Sequence, residues 1–177
     1  MLFSNQTFYF AYVRVPDNVT AEEAAMVEPL CVAVHACKRG YITVGDHVLI
    51  TGAGPIGLLT LMVAKAYGAT RVVLTDINKE RLKLADELGA DATILVDKKW
   101  DEQRLVEEIK KNFHNDLPNK TFECSGVGSN FRLVFLATKA SGVATLVGMG
   151  PTELTLPIAD AANREVTIRS CYRYKGW

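Results

Sequence analysis

Val48-Leu49-Ile50-Thr51-Gly52-Ala53-Gly54-Pro55-Ile56-Gly57 is the segment that most clearly indicates the fold of this chain. A short apolar run leads into three glycines spaced G-x-G-x-x-G, and an apolar helical segment follows. Gly52 permits a tight turn, Gly54 lets the backbone approach a pyrophosphate, and Gly57 lets the helix lie close to the strand. The helix N-terminus adds free N–H groups and the positive end of its dipole. The pattern therefore predicts a dinucleotide site.

An acidic residue stands at the end of the next predicted strand. Asp76 follows the apolar run Val72-Val73-Leu74-Thr75 and lies nineteen residues beyond Gly57. A carboxylate at this place accepts hydrogen bonds from the adenosine ribose hydroxyls, and its charge disfavours a 2′-phosphate. Asp76 therefore favours NAD over NADP as the cofactor. The alternative is that Asp76 merely ends the strand and helps to start the helix near Asn78.

Apolar strands and amphipathic helices alternate through the rest of the chain. The predicted strands are residues 48–51, 71–75, 92–96, 121–124, 143–147 and 166–171, and the predicted helices are residues 55–67, 79–88, 101–113 and 131–139. Strands joined by right-handed helical crossovers form a parallel sheet that is covered on both faces. The predicted fold class is α/β, a doubly wound six-stranded sheet of the Rossmann type with strand order 3-2-1-4-5-6. Its ligand would lie at the carboxyl ends of the strands, where residues 52–57, 76, 124–126 and 147–150 converge.

The first forty residues do not share this alternation. Residues 7–15 are predicted to form a strand, Pro16-Asp17-Asn18 a turn, and Thr20-Ala21-Glu22-Glu23 a capping box that opens a helix. Pro29 suits the first turn of a second helix that ends at Gly40. A leading strand with no evident partner indicates that another molecule completes the chain, or that the chain is cut from something longer.

Composition narrows the class of protein. The 177 residues suit one domain with at most an appendage, and 20 acidic residues balance 20 basic ones, so the charge gives no indication of a polyanionic partner and no nucleic-acid ligand is expected. The apolar run Ile56–Ala64 is too short to span a membrane, and no signal-peptide pattern opens the chain, so a cytoplasmic location is expected. The cysteines form no C-x-x-C pair and are predicted to be reduced thiols: Cys31, Cys37, Cys124 and Cys171.

Three local sequences resemble the zinc-dependent medium-chain dehydrogenases. They are Glu28-Pro29-Leu30 with His35-Ala36-Cys37, the glycine segment 52–57, and Glu123-Cys124-Ser125-Gly126. Val15-Pro16-Asp17-Asn18-Val19 and Arg173-Tyr174 are most similar to the polyol dehydrogenases of that family, and the likeness covers essentially the whole chain. The resemblance implies hydride transfer from the secondary carbinol carbon of a polyol to NAD, which gives a ketose. Zinc would act as a Lewis acid on the bound hydroxyl.

The resemblance also implies which residues contact the cofactor. These are Gly52, Gly54, Ile56, Gly57, Asp76, Arg81, Val147, Gly148, Met149, Cys171, Tyr172 and Arg173. Ile56 would pack along the cofactor, and Arg81 would lie beside the adenine or its ribose. Residues 147–149 and 171–173 would line the nicotinamide half.

Three residues would serve the reaction itself by the same resemblance. Glu28 would lie near the catalytic metal and its water, and Arg173 and Tyr174 would hold substrate hydroxyls. Glu28 could instead be the residue before a helix-starting proline, and Arg173 a surface charge.

The sequence also departs from the family pattern. It contains no His-Glu dipeptide, and His35, His47 and His114 lack ligand spacing, so no metal ligand is assigned. Residues 1–24 would be a remnant of the catalytic domain and residues 25–177 the dinucleotide-binding domain with its linking helix. The N-terminal and C-terminal parts of the catalytic domain would be absent, and this chain alone is expected to be inactive.

The sequence is also compatible with other functions. The chain could be a non-catalytic NAD-binding or interaction module, or an inactive fragment. A methyltransferase-like fold also uses a glycine-rich first loop and an acidic second-strand end, although the family-like stretches outside the glycine loop oppose it. An exposed sheet edge would allow self-association, for example as a homo-oligomer.

Overall fold

The computed structural model describes residues 14–174, so the strand predicted for residues 7–15 lies almost wholly outside the described residues. Helices and strands alternate along the described part of the chain. In chain order they are α1 (Ala21–Arg39), β1 (His47–Thr51), α2 (Pro55–Ala66), β2 (Arg71–Asp76), α3 (Lys79–Glu87), β3 (Ala92–Leu95), α4 (Glu102–Lys111), β4 (Lys120–Glu123), α5 (Gly128–Ala137), β5 (Val143–Leu146), α6 (Ile158–Asn163) and β6 (Thr167–Ser170).

The strands form one parallel sheet in the order β3-β2-β1-β4-β5-β6. This confirms the predicted doubly wound fold and its strand order. β1 lies at the centre of the sheet, where Val48 is level with Val72 of β2 on one side and with Lys120 of β4 on the other. The winding therefore reverses beside β1, and the glycine segment that follows β1 lies at this reversal.

Alternating side chains of the central strands build a core on each face of the sheet. Val48 and Ile50 pack on one face with residues of α1 and α2, including Ala33 and Leu61. Leu49 faces the other way and packs with residues of α4 and α5. Each of these large side chains contributes roughly 1.5–3 kcal/mol when it is removed from water. Packing on both faces holds the central strands in place and so positions the residues at their carboxyl ends.

The N-terminal helix differs from its prediction. The Pro16–Val19 turn and the Thr20 capping box are present, and the helix ends at Gly40 as expected. A single helix spans Ala21–Arg39, however, so the prediction of a second helix beginning at Pro29 is wrong. Proline removes one backbone hydrogen bond inside a helix. The capping box stabilises the N-terminus of the helix, and packing against α2 stabilises its C-terminal half, so the helix continues through Pro29.

Smaller differences arise where the sequence carries little end signal. α5 begins at Gly128 instead of residue 131, and neither α5 nor the short helix α6 has a side-chain cap. α6 was not predicted because six residues give too little periodicity. Within residues 14–174, no helix combines the length and apolar character needed to cross a bilayer.

Candidate functional site

The three glycines after β1 have different surroundings. Gly52 has a φ of +95°, which disfavours any other residue, and its N–H donates to the Thr75 carbonyl at 2.8 Å. A Cβ on Gly57 would collide with the Gly52 carbonyl oxygen, so only glycine lets α2 come this close to the turn. A Cβ on Gly54 would meet no heavy atom within 4 Å. Open space therefore lies beside Gly54, at the N-terminus of α2.

Asp76 connects this turn to the end of β2. Its Oδ2 accepts a hydrogen bond from the Ala53 N–H at 2.7 Å, and its Oδ1 accepts one from the Asn78 N–H at 2.8 Å. Asn78 in turn caps α3 through its side-chain oxygen. Asp76 thus does help to start α3, as the alternative interpretation required. A carboxylate offers about four acceptor sites, so this half-buried group keeps capacity to bind hydroxyl groups as well.

A cavity of about 570 Å³ lies at the carboxyl edge of the sheet, beside the glycine turn and Asp76. This volume falls within the range of small-molecule sites. Gly52, Gly54, Asp76 and Arg81 are the predicted cofactor contacts that line it. Other lining residues come from the ends of β3, β4 and the helices that follow: Val96, Asp97, Lys98, Trp100, Asp101, Glu102, Leu105, Cys124, Ser125, Val127, Ser129, Asn130 and Leu133.

Most of these additional lining residues are not predicted from the sequence. The available signal is that loops after parallel strands face the ligand, and within this set it indicates only Cys124 and Ser125. Trp100 lies in the connection between β3 and α4, and Glu102 is the first residue of α4; no motif marks either residue. Asn130 lies in the first turn of α5, whose start was placed too late.

The predicted nicotinamide-half residues lie at the ends of β5 and β6. Val147 and Gly148 follow β5, and their N–H groups both donate to the Glu123 carbonyl, at 2.9 and 2.8 Å. Met149 is 86% exposed and its carbonyl lies against Gly126. These residues border the turn after β4 but do not line the cavity.

The segment after β6 is more open. Cys171 is buried and its N–H donates to the Leu146 carbonyl at 2.8 Å. Tyr172, Arg173 and Tyr174 are exposed, and the Arg173 guanidinium lies 5.6 Å from the centre of the Tyr172 ring. This segment is adjacent to β5 through the β5–β6 pairing, and its residues do not line the cavity beside the glycine turn.

The residues expected near a metal are not grouped together. Glu28 is exposed on α1, and His35 is half-buried on the same helix, where burial and then Arg39 and Lys38 lower its pKa. Within residues 14–174, no group of three or more His, Cys, Asp or Glu residues is arranged to hold a metal ion. The donor set of the described residues therefore does not fit a zinc site.

The cysteines are all unpaired, as predicted. Burial, reinforced by Cys171, raises the pKa of the Cys37 thiol to about 12. Burial and the neighbouring Glu123 charge raise the pKa of Cys124, and burial raises that of Cys171. Three of the four thiols are thus held protonated in the core and at the base of the cavity.

Comparison with known proteins agrees with this geometry. The family model for zinc-binding dehydrogenases matches residues 55–177. Sorbitol dehydrogenase of Pongo abelii is 45% identical over 168 residues, which cover 93% of this chain and 45% of that protein. The chain therefore spans about half the length of the curated relatives that it matches.

Solved structures show the same fold. L-Idonate 5-dehydrogenase from Escherichia coli superposes with a TM-score of 0.80 at 30% identity, over 93% of this chain and 45% of that one. A zinc-binding dehydrogenase from Sinorhizobium meliloti, solved bound to NADP, gives a TM-score of 0.82 at 27% identity over 92% of this chain and 47% of that one. The chain belongs to the zinc-binding dehydrogenase family. The predicted resemblance to the medium-chain zinc dehydrogenases is thereby confirmed.

Proposed function

We propose that this chain binds NAD and forms the cofactor-binding portion of a zinc-dependent polyol dehydrogenase. The observation that carries the proposal is the placement of Asp76 beside the glycine turn at the mouth of one cavity. Adenosine ribose hydroxyls would bind the Asp76 carboxylate, and the pyrophosphate would occupy the open space beside Gly54. Negative charge is favoured there because the N-terminus of α2 presents N–H groups and a positive dipole end.

NAD is preferred over NADP in this proposal. The Asp76 carboxylate would accept hydrogen bonds from both ribose hydroxyls of NAD, whereas it would repel the 2′-phosphate of NADP. The cation of Arg81 also lines the cavity, but a single exposed arginine does not remove the carboxylate from the ribose position. The NADP seen in the Sinorhizobium meliloti relative is a property of that protein.

The substrate proposed is a sorbitol-like polyol, whose secondary alcohol is oxidised to a ketone. The support is the 45% identity to sorbitol dehydrogenase together with the residues that this chain supplies for the cofactor. The chain's own contribution is to hold the cofactor rigidly at the sheet edge, so that its reactive carbon can face the carbinol carbon. Arg173 and Tyr174 are proposed to bind substrate hydroxyls from the segment after β6, and Glu28 to lie near the metal of the complete site.

Zinc supplies Lewis-acid chemistry in this class of enzyme when it is bound. Because the described residues do not fit a zinc site, no step is assigned to the metal on this chain. The chain alone is expected to bind NAD without oxidising sorbitol. The division into residues 1–24 and 25–177, the formation of a homo-oligomer and a cytoplasmic location stay predictions.

A binding measurement and a rate measurement test the proposal together. The purified chain is titrated with NAD in a calorimeter, and NADH formation from sorbitol is followed with added zinc. We expect binding and no turnover. Failure to bind NAD would contradict the proposed function, and sorbitol oxidation at a normal enzyme rate would contradict the assignment of the chain to the cofactor portion alone.

A further inference from the structure

The carboxylate of Glu123, at the end of β4, is fully buried. One oxygen, Oε1, accepts hydrogen bonds from the Ser125 N–H at 2.9 Å, the Ser125 hydroxyl at 2.5 Å and the Gly126 N–H at 3.0 Å. Burial of a carboxylate is unfavourable unless such bonds compensate for the lost hydration. All three donors lie in the turn that immediately follows β4, so the buried carboxylate stabilises the conformation of that turn.

Ser125 extends the network into the wall of the cavity. Its hydroxyl donates to Glu123 and accepts hydrogen bonds from the Val127 N–H at 3.1 Å and the Asn130 side-chain amide at 2.8 Å. Ser125, Val127 and Asn130 all line the cavity. The position of this wall therefore depends on the Glu123 carboxylate.

Glu123 also contacts the turn after β5. A Cβ on Gly148 would collide with the Glu123 carboxylate and with the Gly126 nitrogen, so Gly148 lies directly against both. Gly126 has a φ of +73°, and a Cβ on it would come within 2.7 Å of the Met149 carbonyl. One buried side chain thus holds the turns after two neighbouring strands in contact.

The sheet order indicates which part of a dinucleotide these turns face. Asp76 ends β2 on one side of β1, whereas β4 and β5 lie on the other side. With the pyrophosphate at the N-terminus of α2 and adenosine at Asp76, the remaining half of the cofactor extends over β4 and β5. We propose that Glu123 is a positioning residue that shapes the turns after β4 and β5 to receive the nicotinamide ring of NAD. This inference rests on the proposed function.

The test compares NAD with ADP-ribose, which lacks only the nicotinamide. In the Glu123→Gln variant the side-chain volume is kept, but an amide NH₂ replaces one oxygen and faces backbone N–H donors. We expect calorimetry to show a loss of NAD affinity of about tenfold, the size expected for one impaired charge-assisted hydrogen bond, and a smaller loss of ADP-ribose affinity, because the turn after β4 also lines the cavity that contains Asp76. The Asp76→Ala variant is the control and should weaken both ligands.

Amide hydrogen exchange of the free chain gives a second readout. The Ser125 and Gly126 amides should exchange faster in Glu123→Gln, whereas the Ala69 amide, which donates to the Ala64 carbonyl beyond the C-terminal end of α2, should be unchanged. If Glu123→Gln does not fold, Ser125→Ala removes only the hydroxyl of the network and should show a smaller loss of NAD affinity that again exceeds the loss of ADP-ribose affinity.

Different results would contradict the proposed function and the proposed role of Glu123. A wild-type chain that binds neither NAD nor ADP-ribose contradicts the proposed function. Unchanged exchange at Ser125 and Gly126, equal wild-type affinity for the two ligands, or equal loss of both in the variants would overturn the role of Glu123.

Discussion

The Ala53 N–H donates a hydrogen bond to Asp76 Oδ2 at 2.7 Å, which joins the glycine turn after β1 to the end of β2. A charge-assisted bond of this kind is roughly twice as strong as a neutral one. The same carboxylate that would bind the ribose therefore also fixes the backbone that would approach the pyrophosphate. Two parts of the proposed NAD site depend on one side chain.

Replacement of Asp76 by alanine should accordingly weaken NAD binding more than NADP binding. Loss of hydrogen bonds to a charged group costs about 1.5–3 kcal/mol, or roughly a tenfold to hundredfold loss of NAD affinity. The affinity for NADP should fall less, because removal of the Asp76 carboxylate also removes its repulsion of the 2′-phosphate. Calorimetric titration with both cofactors measures the difference. Glu87→Ala, an exposed carboxylate on α3 outside the cavity, is the matched control and should change neither affinity.

Replacement by alanine should lower the stability of the chain at Gly57 and weaken NAD binding at Gly54. At Gly57 the added methyl group meets the Gly52 carbonyl oxygen, so Gly57→Ala should lower the free energy of unfolding by about 1–3 kcal/mol. At Gly54 the methyl group enters open space at a φ of −75°, so stability should be kept while NAD binding weakens. Urea unfolding and calorimetry distinguish the two effects. Equal loss of stability in both variants would show that the space beside Gly54 is not open.

Thr145 and Thr121 are buried in neighbouring strands but differ in their partners. Among the described residues, the Thr145 hydroxyl has no hydrogen-bond partner, whereas the Thr121 hydroxyl lies 2.7 Å from that of Thr138. Thr145→Val should therefore leave stability unchanged or raise it by about 1 kcal/mol, and Thr121→Val should lower it by about as much. Urea midpoints of the two isosteric variants provide the comparison, and destabilisation by Thr145→Val would mean that its hydroxyl is satisfied.

Buried thiols should make the chain less stable in alkaline solution. The pKa of Cys37 is raised from an ordinary value of 9.0 to about 12, so the unfolded chain loses this proton at a lower pH than the folded chain. The contribution is fully present below pH 9 and is lost as pH rises through the window from about 9 to about 12. In Cys37→Ala, the free energy of unfolding measured in urea should fall less steeply above pH 9 than in the wild-type chain. Identical slopes would contradict the assigned shift.

Much of the fold follows from the sequence because periodicity and turn residues agree along it. The run from Val48 to Gly57 combines a buried strand, a glycine turn and an apolar helix, and each feature supports the next. The prediction fails at Pro29, where packing of α1 against α2 outweighs a local helix-breaking signal. It is incomplete at α6, whose six residues carry no cap.

The candidate site was predictable only where a motif names its residues. Gly52, Gly54 and Asp76 follow from spacing, and the structure brings them to one cavity. The opposite wall depends on Trp100 and Asn130, which tertiary packing of the β3–α4 and β4–α5 connections brings there. The contact between Glu123 and Gly148 depends on strand pairing across β4 and β5, which no local pattern specifies.

A calorimetric titration of the wild-type chain with NAD and with NADP under identical conditions tests the proposed NAD site most directly. We expect NAD to bind to one site at least about tenfold more tightly than NADP, since each 1.4 kcal/mol of preference gives a factor of about ten. Absence of NAD binding, or equal affinity for the two cofactors, would contradict the assignment of Asp76 to the adenosine ribose.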